Sequence, residues 1–71
     1  MSYQSSLDRL IGQTGVVAEA IPAERRGTGV IKVAGQFWSA ETDWPETLVP
    51  QTAVIVAGRT NLILAVLPER T

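Results

Sequence analysis

The chain has no cysteine and no histidine. Without cysteine it forms no disulfide, and without either residue the usual zinc ligand sets are excluded. The same gap removes the common nucleophile–base pairs, because a serine would have only lysine as its base. Aromatic residues are few, at 6%, with two tryptophans, one tyrosine and one phenylalanine. No charge dominates: six basic residues stand against seven acidic ones, a net of −1. That balance excludes a chain drawn onto nucleic acid or anionic lipid by its overall charge. Long apolar runs are missing too. The longest uninterrupted one covers residues 62–67, whereas a spanning helix needs about 20 apolar residues. Residues 1–6 are polar and lack the basic start and apolar core of a secretory leader. The chain as given reads as soluble.

What is present is a small domain of 71 residues, 45% apolar. That apolar fraction is ordinary for a globular protein and too high for a disordered tail. At this length a single core is barely large enough to hold a fold, so stability must come from packing or self-association. Valine, isoleucine and leucine number nineteen, and thirteen of them are β-branched. The composition leans towards strands.

Along the chain, a frayed polar lead-in is followed by one helical turn over residues 7–11. Ser6 would cap it, with Leu7, Leu10 and Ile11 on one side. From Thr14 the pattern alternates. Residues 15–21 form a first strand, ended by Pro22, which has no N–H to donate. Residues 29–33 and 36–41 form a second and a third strand, joined by a tight turn at Ala34-Gly35. Phe37 and Trp38 are adjacent, so they point to opposite faces. Residues 42–52 hold Trp44-Pro45 and Val49-Pro50 and read as a loop with at most one helical turn, over 45–48. Residues 53–57 form a fourth strand, 58–61 a turn with Asn61 left-handed, and 62–67 a fifth strand stopped by Pro68.

Short strands at this spacing indicate an all-β barrel or sandwich. Closure removes exposed edges, which favours a barrel. The OB-fold and the SH3-like barrel are the two candidates. A long first strand, a hairpin, an irregular crossing and a second hairpin favour a five-stranded OB-fold barrel, with little or no helix between strands three and four. The barrel would occupy residues 10–69, with 1–9 as a linker stub.

Particular residues resemble a known family. Leu10-Ile11-Gly12-Gln13-Thr14-Gly15-Val16-Val17 is similar to the opening of the C-terminal soluble domain of NfeD-like proteins. Gly29-Val30-Ile31-Lys32-Val33-Ala34-Gly35-Gln36-Phe37-Trp38-Ser39-Ala40 resembles its central signature, a glycine-led strand, a glycine turn and then Trp-x-Ala. Val49-Pro50, Val54, Val56, Gly58 and the alternation Leu62, Leu64, Val66 fit its closing hairpin. The resemblance implies an OB-fold barrel that follows transmembrane helices. It also implies pairing with stomatin- or flotillin-like membrane proteins, and a part in membrane protein quality control or regulation of membrane protease activity. The full-length protein would then lie in the cell membrane with this domain cytoplasmic. Gln51 stands where the family usually has glycine, and Asn61 replaces a more common turn glycine. Ile55 and Ile63 replace charges often found at outward positions, which makes the outer face greasier.

The chemistry weighs against an enzyme. Ser39 and Lys32 fall on paired strands, but a strand serine and a solvated lysine are the simpler reading. Glu41, Asp43 and Glu46 cluster around Trp44, where a solvated loop is more common than an acid–base pair or a hard-metal site. Gly27-Thr28-Gly29 is a bend and strand start rather than a phosphate cradle. No cofactor is expected. OB-folds also bind single-stranded nucleic acid through aromatic platforms among basic residues. Phe37, Trp38, Lys32, Arg25, Arg26 and Arg59 are the residues on offer for that alternative, and only one of the two aromatics can be a platform.

The outward apolar positions carry the functional hint. If Leu62, Leu64 and Val66 face the core, Ile63 and Leu67 face out, with Ile55 beside them. Phe37 joins them if Trp38 is the core residue. Trp44, in a polar loop, is either a lid over a barrel end or a contact residue. Phe37, Trp44, Ile55, Ile63 and Leu67 are therefore the candidate interaction surface, for a stomatin/flotillin-like protein or for self-association. A folded-back N-terminal segment covering that face is the alternative.

Overall fold

The alternation that begins at Thr14 produces five strands in a computed structural model, which describes residues 9–69. They are β1 (Thr14–Glu19), β2 (Gly29–Val33), β3 (Gln36–Glu41), β4 (Ala53–Thr60) and β5 (Ile63–Pro68). They close into a barrel in the order β1-β2-β3-β5-β4, with β4 returning to β1. This is the connection order of an OB-fold. All neighbours are antiparallel except β3 and β5, which run parallel over Ala40 beside Leu64 and Glu41 beside Ala65. The expected fold class is the observed one.

Each strand turns its alternate apolar residues inward. Val17, Ile31, Val33, Ala40, Val54, Val56, Leu64 and Val66 are buried and fill the barrel. Leu10, Ile21 and Leu48 join the same core from outside the strands. Leu10 lies in the short turn before β1, tied to β4 by Gly12 N–H donating to Val56 O at 2.7 Å and Val56 N–H donating to Gln13 O at 2.9 Å. Ile11, expected beside Leu10, is exposed instead. Ser6 and Leu7, and the stub before Arg9, lie outside the described residues.

Two expectations are corrected. The helical turn expected over 45–48 is absent. The short turn that forms between strands is Ala23–Arg25, after the extended Pro22, and it is not a regular helical turn, since Glu24 and Arg25 both take φ 57°. β4 runs on to Thr60 because a bulge between Val56 and Gly58 inserts an extra residue. The closing turn therefore falls at Asn61 and Leu62, and Leu62 is 75% exposed rather than inward. Trp38 faces the interior opposite Ile31, but it is only half-buried at the core's margin.

The β2–β3 turn places Ala34 at φ 52° and Gly35 at φ 80°, the left-handed pair that a two-residue hairpin needs. Alanine holds that conformation at a cost of about 1 kcal/mol. Ala34→Asn, giving an Asn-Gly turn, should stabilise the barrel by about 0.5 kcal/mol. A thermal melt should show the midpoint rising by roughly 2–4 °C.

Candidate protein-interaction surface

The register shows which outward residues are neighbours. Ile55 of β4 lies directly across from Leu67 of β5, and Thr14 flanks Ile55 on β1. Ile55 is 37% exposed and Leu67 is partly buried. A second outward row crosses the barrel from Phe37 to Lys32, Val16 and Ala53. Phe37 is the most open of the candidate residues, at 64%. The Lys32 ammonium sits over its ring, 5.7 Å from the centroid, a cation–π contact. Val16, which the sequence reading did not single out, is 40% exposed and links Phe37's row to Ile55's. Its outward side follows from Val17 pointing in, and only the strand register reveals its place between the two rows.

The other two candidates lie apart. Ile63 shares the outer face of β5 with Ala65 and Leu67, but it sits near the Asn61 turn, opposite Thr60. Trp44 is half-buried and packs against the core. Its carbonyl accepts a hydrogen bond from Glu24 N–H at 3.0 Å, and its own N–H donates to Thr42 Oγ1 at 3.2 Å. Part of the Trp44 side chain is therefore taken up by the core and part is left exposed. The structure thus joins Ile55 and Leu67, sets Val16 in the neighbouring row, places Lys32 between Val16 and Phe37, and leaves Ile63 and Trp44 to one side.

The remaining candidates can be placed as well. Trp38 turns its ring to the face opposite Phe37, and its indole N–H is buried without a hydrogen-bond partner. Phe37 with Lys32 is then the one ring that the outer face of β2 and β3 offers to a stacked base. Arg26 is engaged with Glu24 at 3.0 Å. Among the described residues, no helix is long and apolar enough to cross a membrane.

The fold and this surface define an OB-type barrel that presents apolar side chains outward. The chain belongs to a family described as the NfeD-like C-terminal, partner-binding domain, whose model matches residues 7–68. Solved relatives agree. The C-terminal domain of stomatin operon partner protein 1510-C from Pyrococcus horikoshii is 30% identical, with a TM-score of 0.78 over 90% of this chain and 94% of that one. The soluble domain of a membrane protein implicated in regulation of membrane protease activity, from Corynebacterium glutamicum, is 26% identical, with a TM-score of 0.79 over 92% and 100%. The soluble domain of the NfeD protein YuaF from Bacillus subtilis is 28% identical, with a TM-score of 0.77 over 92% and 80%. A comparison with curated proteins finds no match.

Proposed function

We propose that this domain is the docking module of an NfeD-like membrane protein and that it engages a stomatin/flotillin-type partner without catalysing a reaction itself. In this reading the parent protein is held in the membrane by segments outside this chain, with the barrel on the cytoplasmic side, and contributes to regulating membrane protease activity. The observation that carries the reading is the outward apolar group Val16, Ile55 and Leu67, with Phe37 across Lys32 from Val16, on the outside of a barrel whose interior is already filled. Family membership supports the general role of partner binding. The Pyrococcus relative, a stomatin operon partner, suggests the kind of partner. Apolar area flanked by polar positions is the usual form of a docking patch, and a few large side chains carry most of its affinity.

The test is binding of a co-expressed stomatin-type protein by the wild-type domain and by two variants, Ile55→Glu and Phe37→Ala. Both positions are open enough that the fold should be retained, with melting midpoints within a few degrees of wild type. Ile55→Glu should weaken binding by about tenfold or more, and Phe37→Ala by a smaller factor, as expected of a centre and a rim. Equal recovery of the partner by all three proteins would remove this face from the interaction.

A further inference from the structure

The pairing directions sort the loops of the barrel into two ends. Every neighbouring pair of strands is antiparallel except β3 and β5. β1, β3 and β5 therefore start at one end, where β2 and β4 finish. That end carries the turn before β1, the Ala34-Gly35 turn and the Asn61-Leu62 turn. The other end carries the Ala23–Arg25 turn, the crossing from β3 to β4 and the exit from β5.

Charge follows this division. The acids among the described residues are Glu19, Glu24, Glu41, Asp43, Glu46 and Glu69, and all of them lie at the second end, in or next to its loops. Arg25 and Arg26 sit among them. The first end has no acid among the described residues. It has Arg9 before β1, Lys32 near the close of β2 and Arg59 near the close of β4. The net charge of −1 conceals this separation. Arg59 is engaged, donating to Asn61 O at 2.8 Å, so Arg9 and Lys32 are the cations that can turn to a ligand. Both are exposed, and neither has a carboxylate within ion-pair distance among the described residues.

The same end holds large apolar side chains in the open. Leu62 is 75% exposed in the β4–β5 turn, Phe37 is 64% exposed just after the β2–β3 turn, and Ile11 is 44% exposed in the turn before β1. They stand on three separate turns, so they ring the end of the barrel rather than line its wall. The Lys32 ammonium lies 5.7 Å from the centroid of the Phe37 ring. Together the two form an apolar body with a charged tip, the arrangement that suits a boundary between hydrocarbon and water.

We infer that this end rests on the surface of an anionic bilayer, with Leu62, Phe37 and Ile11 in the boundary between headgroups and acyl chains and with Arg9 and Lys32 on lipid phosphates. The inference rests on reading the parent as a membrane protein and adds which end of the barrel faces the bilayer. Separate apolar tips with cations beside them suit a fluid surface, which needs no complementary shape. A protein contact draws instead on a contiguous patch, and that patch lies on the wall at Val16, Ile55 and Leu67. Each cation near an anionic surface raises affinity by about fivefold. The acids at the other end do not cancel this. A six-residue strand spans about 17 Å, or about 12 Å along the axis of a barrel in which strands tilt. The field of the bilayer falls off within a Debye length of about 8 Å.

The test titrates the ¹⁵N-labelled chain with vesicles of equal parts phosphatidylglycerol and phosphatidylcholine, and with vesicles of phosphatidylcholine alone. Binding, read from loss of amide signal, should be at least fivefold stronger to the anionic vesicles and should weaken in high salt. With spin-labelled acyl chains in the vesicles, the amides of Ile11, Phe37 and Leu62 should broaden before those of Glu19, Glu46 and Glu69. Lys32→Gln should weaken binding about fivefold. Leu62→Glu should weaken it at least tenfold while keeping the wild-type melting midpoint, because Leu62 is open in a turn. The proposal is overturned if the two kinds of vesicle bind equally, if neither binds at millimolar lipid, or if broadening begins at the acidic end. It is also overturned if Leu62→Glu binds vesicles as well as wild type. In lipid-free buffer Leu62→Glu should recover the stomatin-type partner as wild type does. Loss of the partner there would make this end a protein contact and overturn the bilayer contact, whereas loss in Ile55→Glu alone supports the wall as the docking face and the end as free for lipid.

Discussion

Replacing Gly29 with alanine should lower the stability of the barrel by about 3 kcal/mol, and its melting midpoint by roughly 10–20 °C. Gly29 is buried at the start of β2, opposite Ala40. A Cβ there would stand 2.3 Å from Ala20 O and 2.5 Å from Glu19 O. Both are backbone atoms at the end of β1, just past the bulge between Val17 and Glu19. A flexible side chain could turn away from such a contact, but a carbonyl in the chain can move only if the strand moves. The two strands must then separate where their register is already irregular. A domain of this size has a total stability of roughly 4–10 kcal/mol, so the loss is a large share of it. Denaturation followed by circular dichroism measures the effect, with Gly58→Ala as the control whose midpoint should hold or rise. An unchanged midpoint for Gly29→Ala would mean that the β1–β2 joint opens freely.

Gly29 also marks where the sequence stops being readable. Its position at the head of a strand follows from the alternation that comes after it, but the reason it must be glycine is a contact with residues nine and ten positions earlier. Period-two patterning determines which side of a strand a residue faces. It does not determine where the strand ends. Leu62 keeps the inward parity of Leu64 and Val66, yet the β4 bulge at Ala57 carries the ladder to Thr60 and leaves Leu62 in the turn. Trp38 likewise has inward parity but lies at the core's margin, where a large ring is only partly covered.

The candidate surface divides along the same line. That Ile55, Ile63 and Leu67 face outward is visible in the alternation. That Ile55 meets Leu67, and that Val16 lies in the next row with Lys32 between it and Phe37, depends on register across strands far apart in the chain. The two consecutive left-handed residues Glu24 and Arg25 are still less visible, because backbone hydrogen bonds to residues 42 and 44 hold them, and those contacts have no local signature in composition or spacing.

The irregular crossing between β3 and β4 shows how long-range contacts replace a missing helix, and it gives the second large prediction. Ile21 and Leu48 form an isolated antiparallel bridge, each N–H donating to the other's carbonyl at 2.9 Å. Both side chains are in the core, at 0% and 4% exposure. Further along, Gln51 N–H donates to Val17 O at 2.8 Å, and Val17 N–H donates to Thr52 O at 2.9 Å. The segment is therefore stitched to β1 and its extension rather than held by helical turns of its own. Leu48→Ala should cost about 2–4 kcal/mol through the lost apolar contact and the cavity left behind. Because Ile21 fills the same space, Ile21→Ala and Leu48→Ala should not add. A double-mutant cycle should give a coupling of about 1 kcal/mol or more. Hydrogen exchange separates local from global loss: in Leu48→Ala the amides of Ile21 and Leu48 should lose more protection than those of Ile31 and Val56 in the barrel wall. Equal loss at all four would mean that the crossing and the barrel open as one unit. The expected inequality would mean instead that the crossing can loosen while the barrel that presents Ile55 and Leu67 stays closed.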